Sequence, residues 1–346
     1  MIQRETFTSE HISRIKGNTR VDPSLLERSI FALGLLEALA RTGLPFVFKG
    51  GTSLMLLLDS PRRLSVDIDI VVPPNTDVDK YVSEACTIFP FVRAEEQVRK
   101  GKNSIVKKHY KFYYNSGVSS KEFYILLDIL FEDNLYAEVV NKRIHTDFLI
   151  TEEPYIEVVV PIGECVLGDK LTAFAPHTTG IPFDVDKEVE IIKQFYDIGN
   201  LIEIFSDTSL VKSTFEEIAK AEIGYRGDSY PSSVALEDTI DTAACIASQG
   251  MINPEEFIKL KEGIRGIVTY IYGENFSVER AIPTACKIMY LAACLLKGRE
   301  FSRITDASIY EEEKISSKKY SKLSYLKKTD LTAFGYVVEA VSLLEE

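Results

Sequence analysis

The sequence has 346 residues, enough for two or three packed domains of about 100–200 residues each. Its 45% hydrophobic and 27% charged residues are typical of a globular protein and exclude wholesale disorder. Forty basic against 52 acidic residues give a net charge of −12, which excludes non-specific nucleic-acid binding, so any such contact must be local.

The five cysteines and four histidines exclude further kinds of site. The cysteines are widely spaced and odd in number, which predicts neither a zinc site nor a disulfide framework but small buried side chains in a reducing compartment. The histidines are too scattered to favour a histidine metal site or a Ser-His-Asp triad. Apolar runs such as 54–58 are far shorter than the roughly 20 residues that span a bilayer, and the N-terminus lacks a signal-peptide core. We therefore expect a cytoplasmic protein, without membrane contact, whose chemistry is done by carboxylates.

Local patterns predict strands and helices in the first half of the chain and helices in the second. Asp22-Pro23 begins a helix that ends before Gly43. Strands are predicted at 46–48, 65–72, 104–114, 122–131 and 155–160, and further helices at 52–58 and 76–87. From about residue 163 helical periodicity dominates. We predict an α+β fold: a domain of residues 1–162 with a mixed β-sheet and flanking helices, then an all-helical domain of residues 163–346.

Two acidic residues in one predicted strand form the first half of a candidate site. Asp67 and Asp69 are two residues apart, so a strand projects both on one face about 7 Å apart. Carboxylates this close repel unless a cation lies between them, and oxygen ligands suit Mg²⁺, which completes its shell with water and substrate phosphates. A solvated strand face is the alternative for a lone D-x-D.

A glycine pair between a predicted strand and helix forms the second half. The start of a helix offers backbone N–H groups and a dipole that favours an anion, and glycine lets a polyphosphate approach the backbone. A lone Gly-Gly is usually a turn, but this order and spacing predict a site for a nucleoside triphosphate with its Mg²⁺. It is not a Walker A loop, because the lysine precedes the glycines. The predicted nucleotide-binding residues are Lys49, Gly50, Gly51, Thr52 and Ser53.

Together the two motifs resemble the nucleotidyltransferase fold shared by DNA polymerase β and the CCA-adding enzymes. The strings KGGTSL (residues 49–54) and RLSVDID (residues 63–69) more narrowly resemble the AbiEii/AbiGii toxin family of abortive-infection and type IV toxin–antitoxin systems, which includes MenT-type toxins. Fifteen residues separate Gly51 from Asp67, slightly more than in the general superfamily pattern. The resemblance covers roughly the first 200 residues.

The resemblance implies a third acidic residue on a neighbouring strand, which shares the metals and helps to deprotonate the attacking hydroxyl. Asp128 fits by position, since it is the lone carboxylate of an apolar strand and is costly to bury unless paired or metal-bound. A turn acceptor at an exposed strand end is the alternative for Asp128, and Glu122 and Glu132 are substitutes. The metal ligands implied by the resemblance are Asp67, Asp69 and Asp128.

The toxin family also carries a lysine on a helix after the sheet and an aspartate on the following helix. Lys170 in KLTA (residues 170–173) and Asp197 in KQFYDI (residues 193–198) match these elements. The resemblance implies that Lys170 binds nucleotide phosphate and that Asp197 orients it or assists the chemistry, so the first helices of the second domain complete the active site. The alternatives are a solvated Lys170 and a surface ion pair between Lys193 and Asp197.

Two basic, tyrosine-containing stretches are candidate RNA-binding surfaces, in which lysines contact phosphates and tyrosines stack on unpaired bases. Solvated strand and helix faces are the alternative. The first stretch contains Arg99, Lys100, Lys102, Lys107, Lys108 and Lys111 with Tyr110, Phe112, Tyr113 and Tyr114, and the second contains Lys318, Lys319, Lys322, Lys327 and Lys328 with Tyr320 and Tyr325.

The resemblance implies a nucleotidyltransferase toxin that uses two Mg²⁺ ions to transfer NMP from an NTP to an acceptor. The expected acceptor is the 3′ end of tRNA. A cognate antitoxin is an expected partner, and abortive infection or antiviral defence is the expected role. Two alternatives stay open: a nucleotidyltransferase that modifies a small molecule or a protein, and a catalytically silent nucleotide-binding module.

Overall fold

The computed structural model describes residues 1–98 and 106–346 and forms two compact units. The first unit consists of Met1–Ile162 and Thr269–Glu274, and the second of Gly163–Val268 and Asn275–Glu346. The first break lies at the residue where the sequence pattern changes. The return of residues 269–274 to the first unit was not predicted. The fold class is confirmed: a mixed sheet with flanking helices is followed by a helical region.

The described part of the first unit contains one mixed sheet of seven strands. In chain order they are β1 (Val47–Lys49), β2 (Ile68–Val72), β3 (Phe91–Glu96), β4 (Lys107–Asn115), β5 (Glu122–Phe131), β6 (Val139–Arg143) and β7 (Glu157–Pro161). Their order across the sheet is β3-β4-β5-β2-β1-β7-β6. β2 pairs in parallel with β5, and β1 with β7, whereas the other neighbours are antiparallel.

In the described part of this unit, four α-helices accompany the sheet: α1 (Ser9–Lys16), α2 (Pro23–Arg41), α3 (Gly50–Leu57) and α4 (Asp79–Ala85). α2 begins as predicted, because the Asp22 side chain accepts hydrogen bonds from the backbone N–H groups of Ser24 and Leu25 at 2.7 and 3.1 Å. Thirteen of the 19 residues of α2 are buried, and Phe31 stacks on Tyr114 of β4 with ring centroids 3.8 Å apart.

The two faces of the sheet differ in burial. Alternate residues of the central strands, such as Ile70, Tyr114 and Leu127, are buried and form the core with α2. The intervening residues point to the other face and are mostly half-buried. We call this second face, on which Asp69 and Asp128 lie, the polar face.

The sequence did not predict β3 and β6, which are the two edge strands. β6 has exposed residues on both of its faces, so it lacks the alternation by which a half-buried strand is recognised. The strand predicted at 65–72 begins only at Ile68. Arg63 forms an isolated bridge with Ile271, and the Leu64 N–H donates to the Tyr270 carbonyl at 2.7 Å.

The second unit is built from helices. They are α5 (Gly163–Ala173), α6 (Glu188–Ile202), α7 (Thr208–Arg226), α8 (Ser233–Ala247), α9 (Pro254–Ile267), α10 (Val278–Lys297), α11 (Leu326–Thr329) and α12 (Leu331–Glu345). α10 packs against α8 and α12, while α5 packs against α6 and α7. Among the described residues, no helix is both long enough and apolar enough to span a membrane. Four cysteines are buried, Cys86 is half-buried, and all five are free thiols.

A histidine joins three parts of the second unit. His177, which follows α5, contacts Asp238 of α8 through Nδ1 at 2.7 Å and Glu256 of α9 through Nε2 at 2.9 Å. Burial of the ring lowers the pKa of His177, but the hydrogen bonds and charges of the two carboxylates outweigh it, so the pKa lies above its usual value of 6.5. The ring therefore ties these elements together, and both carboxylates favour its protonated form.

We expect the free energy of unfolding of the second unit to decrease as the pH rises. A histidine whose pKa is higher in the folded state stabilises the fold below its unfolded pKa and loses that contribution as the pH passes the folded value. The expected loss is roughly 1 kcal/mol as the pH rises above about 6.5, because half of the side chain is exposed. Urea unfolding of His177→Gln should show a flatter pH dependence, and a matched change at exposed His145 should not. Parallel pH profiles of all three proteins would contradict this role.

Candidate active site

Strand register places four polar residues in one row on the polar face. Lys49 of β1 is paired with Asp69 of β2, Asp69 with Asp128 of β5, and Asp128 with His109 of β4. Paired residues on neighbouring strands project on the same face about 5 Å apart, so the row brings two predicted carboxylates together. Asp67 precedes Asp69 by two residues and lies immediately before β2.

The glycine pair begins α3 directly after β1 and lies against this row. Gly50 has φ of +79°, a conformation that L side chains rarely adopt. A Cβ at this position would come closer than 3.0 Å to Oδ2 of Asp69. Residue 50 must therefore be glycine both for its backbone conformation and for the close approach of the Asp69 carboxylate.

The structure explains the other residues of the R-x-S-x-D-x-D string. Arg63 is buried, and its guanidinium packs against Gly51. A Cβ atom on residue 51 would lie closer than 3.0 Å to Nη2 of Arg63. The Thr52 hydroxyl contacts Ser65 Oγ at 2.9 Å and donates to the Asp67 carbonyl oxygen at 2.6 Å. These contacts fix the segment that carries the aspartates to the first turn of α3.

The two hydroxyls predicted to bind nucleotide are both used inside the first unit. Thr52 and Ser53 are fully buried, and the Ser53 hydroxyl donates to the Gly50 carbonyl at 2.8 Å. Ser53 therefore stabilises the glycine turn, while Thr52 positions Asp67. The N–H groups at the start of α3 are the polar groups of this loop best suited to an anion.

His109 was not predicted as a site residue, yet it lies at the end of the row. Its Nδ1 is 2.6 Å from Oδ1 of Asp128, and the two side chains are 14% and 33% exposed. The sequence offered no signal for it, because the contact arises from the register between β4 and β5. Asp128 lies within β5, which rules out the alternative of a turn acceptor at a strand end.

The predicted metal ligands fit a divalent cation in their chemistry. Asp69 and Asp128 supply hard oxygen donors from adjacent strands on one face, and Asp67 lies two residues away. Among the described residues, no three His, Cys, Asp or Glu side chains are already grouped as a metal site. One carboxylate packs against Gly50 and another contacts His109, so their assignment as ligands stays a prediction.

In the second unit, the two residues matched to the family's later motifs contact each other. Lys170 of α5 lies 3.0 Å from the Asp197 carboxylate of α6 and donates to Gln194 Oε1 at 2.9 Å. Both side chains of the ion pair are buried, at 7% and 2% exposure. The alternatives of a solvated Lys170 and of an Asp197 on the helix surface are therefore wrong.

Lys170→Met is expected to lower the free energy of unfolding by about 3–5 kcal/mol, because it removes the cation from a buried carboxylate. The double variant Lys170→Met/Asp197→Leu should recover most of the loss, since it removes both buried charges. Urea unfolding followed by circular dichroism measures this, with exposed Lys220→Met as the control. A change below about 1 kcal/mol in the single variant would argue against a tightly coupled pair.

The first basic stretch is divided between the two faces of the sheet. Arg99, Lys100 and Lys102 lie outside the described residues. Lys108 points away from the polar face and pairs with Asp79 of α4 at 2.7 Å, which lowers the pKa of that carboxyl. The core contains Phe112 and Tyr114. Lys107, Lys111 and Tyr113 lie on the same face as His109.

The tyrosines of the second stretch form hydrogen bonds within the helical unit. Tyr320 is 5% exposed and its hydroxyl contacts Asp241 of α8 at 3.1 Å. Tyr325 donates to the carbonyl of Ala247 at 2.8 Å. The buried Tyr320 ring is therefore not available for stacking on RNA bases, whereas stacking by the half-buried Tyr325 stays a prediction.

Comparison with known proteins identifies a family. The model of a family described as nucleotidyl transferase AbiEii toxin, type IV TA system, matches residues 34–264. This range includes the glycine pair, the carboxylate row, Lys170 and Asp197. No curated protein matches the chain.

Two solved structures from Helicobacter pylori are similar to this chain. JHP933 is 14% identical, with 79% of this chain and 93% of that protein covered, at a TM-score of 0.44. A proposed nucleotidyltransferase is 15% identical, with 79% of this chain and 96% of that protein covered, at a TM-score of 0.45.

Proposed function

The chain belongs to the AbiEii family of nucleotidyl transferase toxins of type IV toxin–antitoxin systems, and from this premise we propose that it transfers NMP from an NTP to the 3′ end of an RNA. The observation that carries the proposal is the row from Lys49 to His109 beside the glycine turn. It offers acidic oxygens next to N–H groups, the combination that a triphosphate and its metal require. A tRNA is the acceptor that we expect.

In the proposed reaction the terminal 3′ oxygen attacks the α-phosphorus of the NTP. A new bond forms between the 3′ oxygen and the α-phosphorus, and the bond from the α-phosphorus to the oxygen that bridges to the β-phosphate breaks. Pyrophosphate and the hydroxyl proton are released. Asp67, Asp69 and Asp128 would hold divalent metal, for which we propose Mg²⁺. When bound, such ions lower the pKa of the hydroxyl and offset charge on the pyrophosphate.

The protein's own groups position the reactants in this proposal. The N–H groups at Gly50 and Gly51 bind phosphate oxygens, and Arg63 and Thr52 keep that turn aligned with the aspartates. His109 holds Asp128 in a defined orientation. By their match to the family motifs, Lys170 neutralises phosphate charge and Asp197 orients Lys170. Positioning and electrostatic stabilisation supply most of the catalysis in reactions of this type.

Addition of a nucleotide to a tRNA 3′ end would block its aminoacylation, which accounts for a toxic effect. Membership of a type IV system implies a cognate antitoxin, and we propose that one opposes this activity. The family does not specify the nucleotide base, so the four NTPs are equal candidates.

The test is to incubate the full chain with each α-³²P-labelled NTP and total tRNA, with Mg²⁺ or with EDTA. We expect label in the tRNA band with at least one NTP and its loss in EDTA. Absence of label with all four NTPs would overturn the transferase proposal. Label in a product that forms without RNA would overturn the proposal that RNA is the acceptor and would favour a small molecule or a protein as the acceptor.

A further inference from the structure

Beyond the row from Lys49 to His109, the polar face of the sheet carries a cluster of aromatic and cationic side chains. Arg93 of β3, Lys111 and Tyr113 of β4 and Tyr124 of β5 lie on the same face as Asp128, by register and alternation. We call these four residues the tyrosine surface. Tyr113 and Tyr124 are directly paired, with ring centroids 5.7 Å apart.

Each ring of the tyrosine surface has a cation against it. The Arg93 guanidinium lies 3.4 Å from the Tyr113 ring centroid, and the Lys111 ammonium lies 4.4 Å from that of Tyr124. Arg93 also pairs with Glu95 and Glu122, so the local charge is nearly balanced. The surface therefore suits a ligand that binds by stacking, with a modest electrostatic contribution.

The rings are partly exposed, unlike their neighbours on the same strands. Tyr113 and Tyr124 are half-buried, whereas Tyr114 and Ile125, which point to the other face, are fully buried. The Tyr113 hydroxyl donates to Glu95 at 2.9 Å. Tyr113 and Tyr124 therefore lie on the polar face, not on the buried face that forms the core.

The tyrosine surface is in line with the candidate active site. Asp128 is four positions beyond Tyr124 in β5, which is about 13 Å at roughly 3.3 Å per residue. A few unpaired nucleotides span this distance. An acceptor whose terminal hydroxyl lies at the carboxylates would then pass its preceding bases over the rings.

We infer that the tyrosine surface binds the single-stranded 3′ end of the acceptor RNA by stacking its bases on Tyr113, Tyr124 and the Arg93 guanidinium. Aromatic and guanidinium planes are the groups on which proteins stack unpaired bases with little sequence preference. This inference rests on the proposed function for its choice of RNA as the ligand. It adds a surface that holds the acceptor separately from the NTP.

The experiment measures binding of a short fluorescein-labelled single-stranded RNA to the full chain, and transfer to it. Tyr113→Ala/Tyr124→Ala is expected to weaken RNA binding by about 5- to 100-fold for each ring and to raise the acceptor KM, with the KM for NTP unchanged. Tyr113→Phe/Tyr124→Phe should bind as the wild type does, because the rings remain. A fully paired RNA duplex should bind poorly.

Tyr155→Ala is the matched control, since Tyr155 also has an arginine against its ring, Arg143 at 5.3 Å, but lies by the opposite edge of the sheet. Lys111→Gln offers a second variant that keeps both rings and should reduce the salt dependence of binding. If the double alanine variant does not fold, the salt dependence of RNA binding by Lys111→Gln still tests the inference.

Three outcomes would overturn the inference: wild-type protein that does not bind the RNA, equal binding by wild-type and double-alanine proteins, or equal binding of duplex and single strand. If the second outcome were accompanied by loss of antitoxin binding, the tyrosine surface would be a protein interface. Tyrosine-dependent RNA binding without label transfer from any NTP would instead support the surface and contradict the proposed function.

Discussion

Asp69→Asn is expected to reduce nucleotide transfer by about a thousandfold, with KM for both substrates changed far less. Asp69 lies between Lys49 and Asp128 in the row on the polar face, and it packs against the glycine turn. Asparagine has nearly the same shape, so it removes the charge that a metal–triphosphate complex needs while the packing persists. A loss of several kcal/mol of transition-state stabilisation corresponds to this factor.

The measurement is the initial rate of label transfer at saturating NTP and RNA, with the melting temperature as a check on folding. Asp59→Asn is the matched control, because Asp59 is an exposed aspartate just after α3. We expect Asp59→Asn to transfer at the wild-type rate. If Asp69→Asn retained more than about a tenth of the activity, the row would not be the catalytic centre.

Gly50→Ala is expected to reduce transfer by at least about a hundredfold. The added Cβ would come closer than 3.0 Å to the Asp69 carboxylate, so that carboxylate must move. A displacement of about 1 Å at a reacting site can reduce the rate by this factor. The positive φ of residue 50 adds a strain of roughly 1–2 kcal/mol, which should appear as lower stability.

Gly43→Ala separates the two effects of that substitution. Gly43 has φ of +75°, close to that of Gly50, but a Cβ there would meet nothing within 4 Å. Both variants should therefore lose similar stability in urea unfolding, and only Gly50→Ala should lose transfer. Equal activities of the two variants would mean that the contact between residue 50 and Asp69 does not matter for the reaction.

The sequence alone predicted what depends on neighbouring residues. Asp22-Pro23 determines where α2 begins, because a side-chain cap and a proline act within one helical turn. β5 was predicted at its observed bounds, since its apolar run is long and ends at turn residues. The family followed from two short strings whose spacing is readable without any structure, and the match to residues 34–264 confirms it.

Only the tertiary structure determined which distant residues meet. Asp69, Asp128 and His109 are adjacent because β2, β5 and β4 pair in one register, and register between separated strands leaves no local pattern. The edge strand β6 was not predicted, because both of its faces are exposed. The place of residues 269–274 in the first unit was not predicted either, because they join it from far along the chain. Local sequence encodes elements, whereas pairing depends on the burial that many elements achieve together.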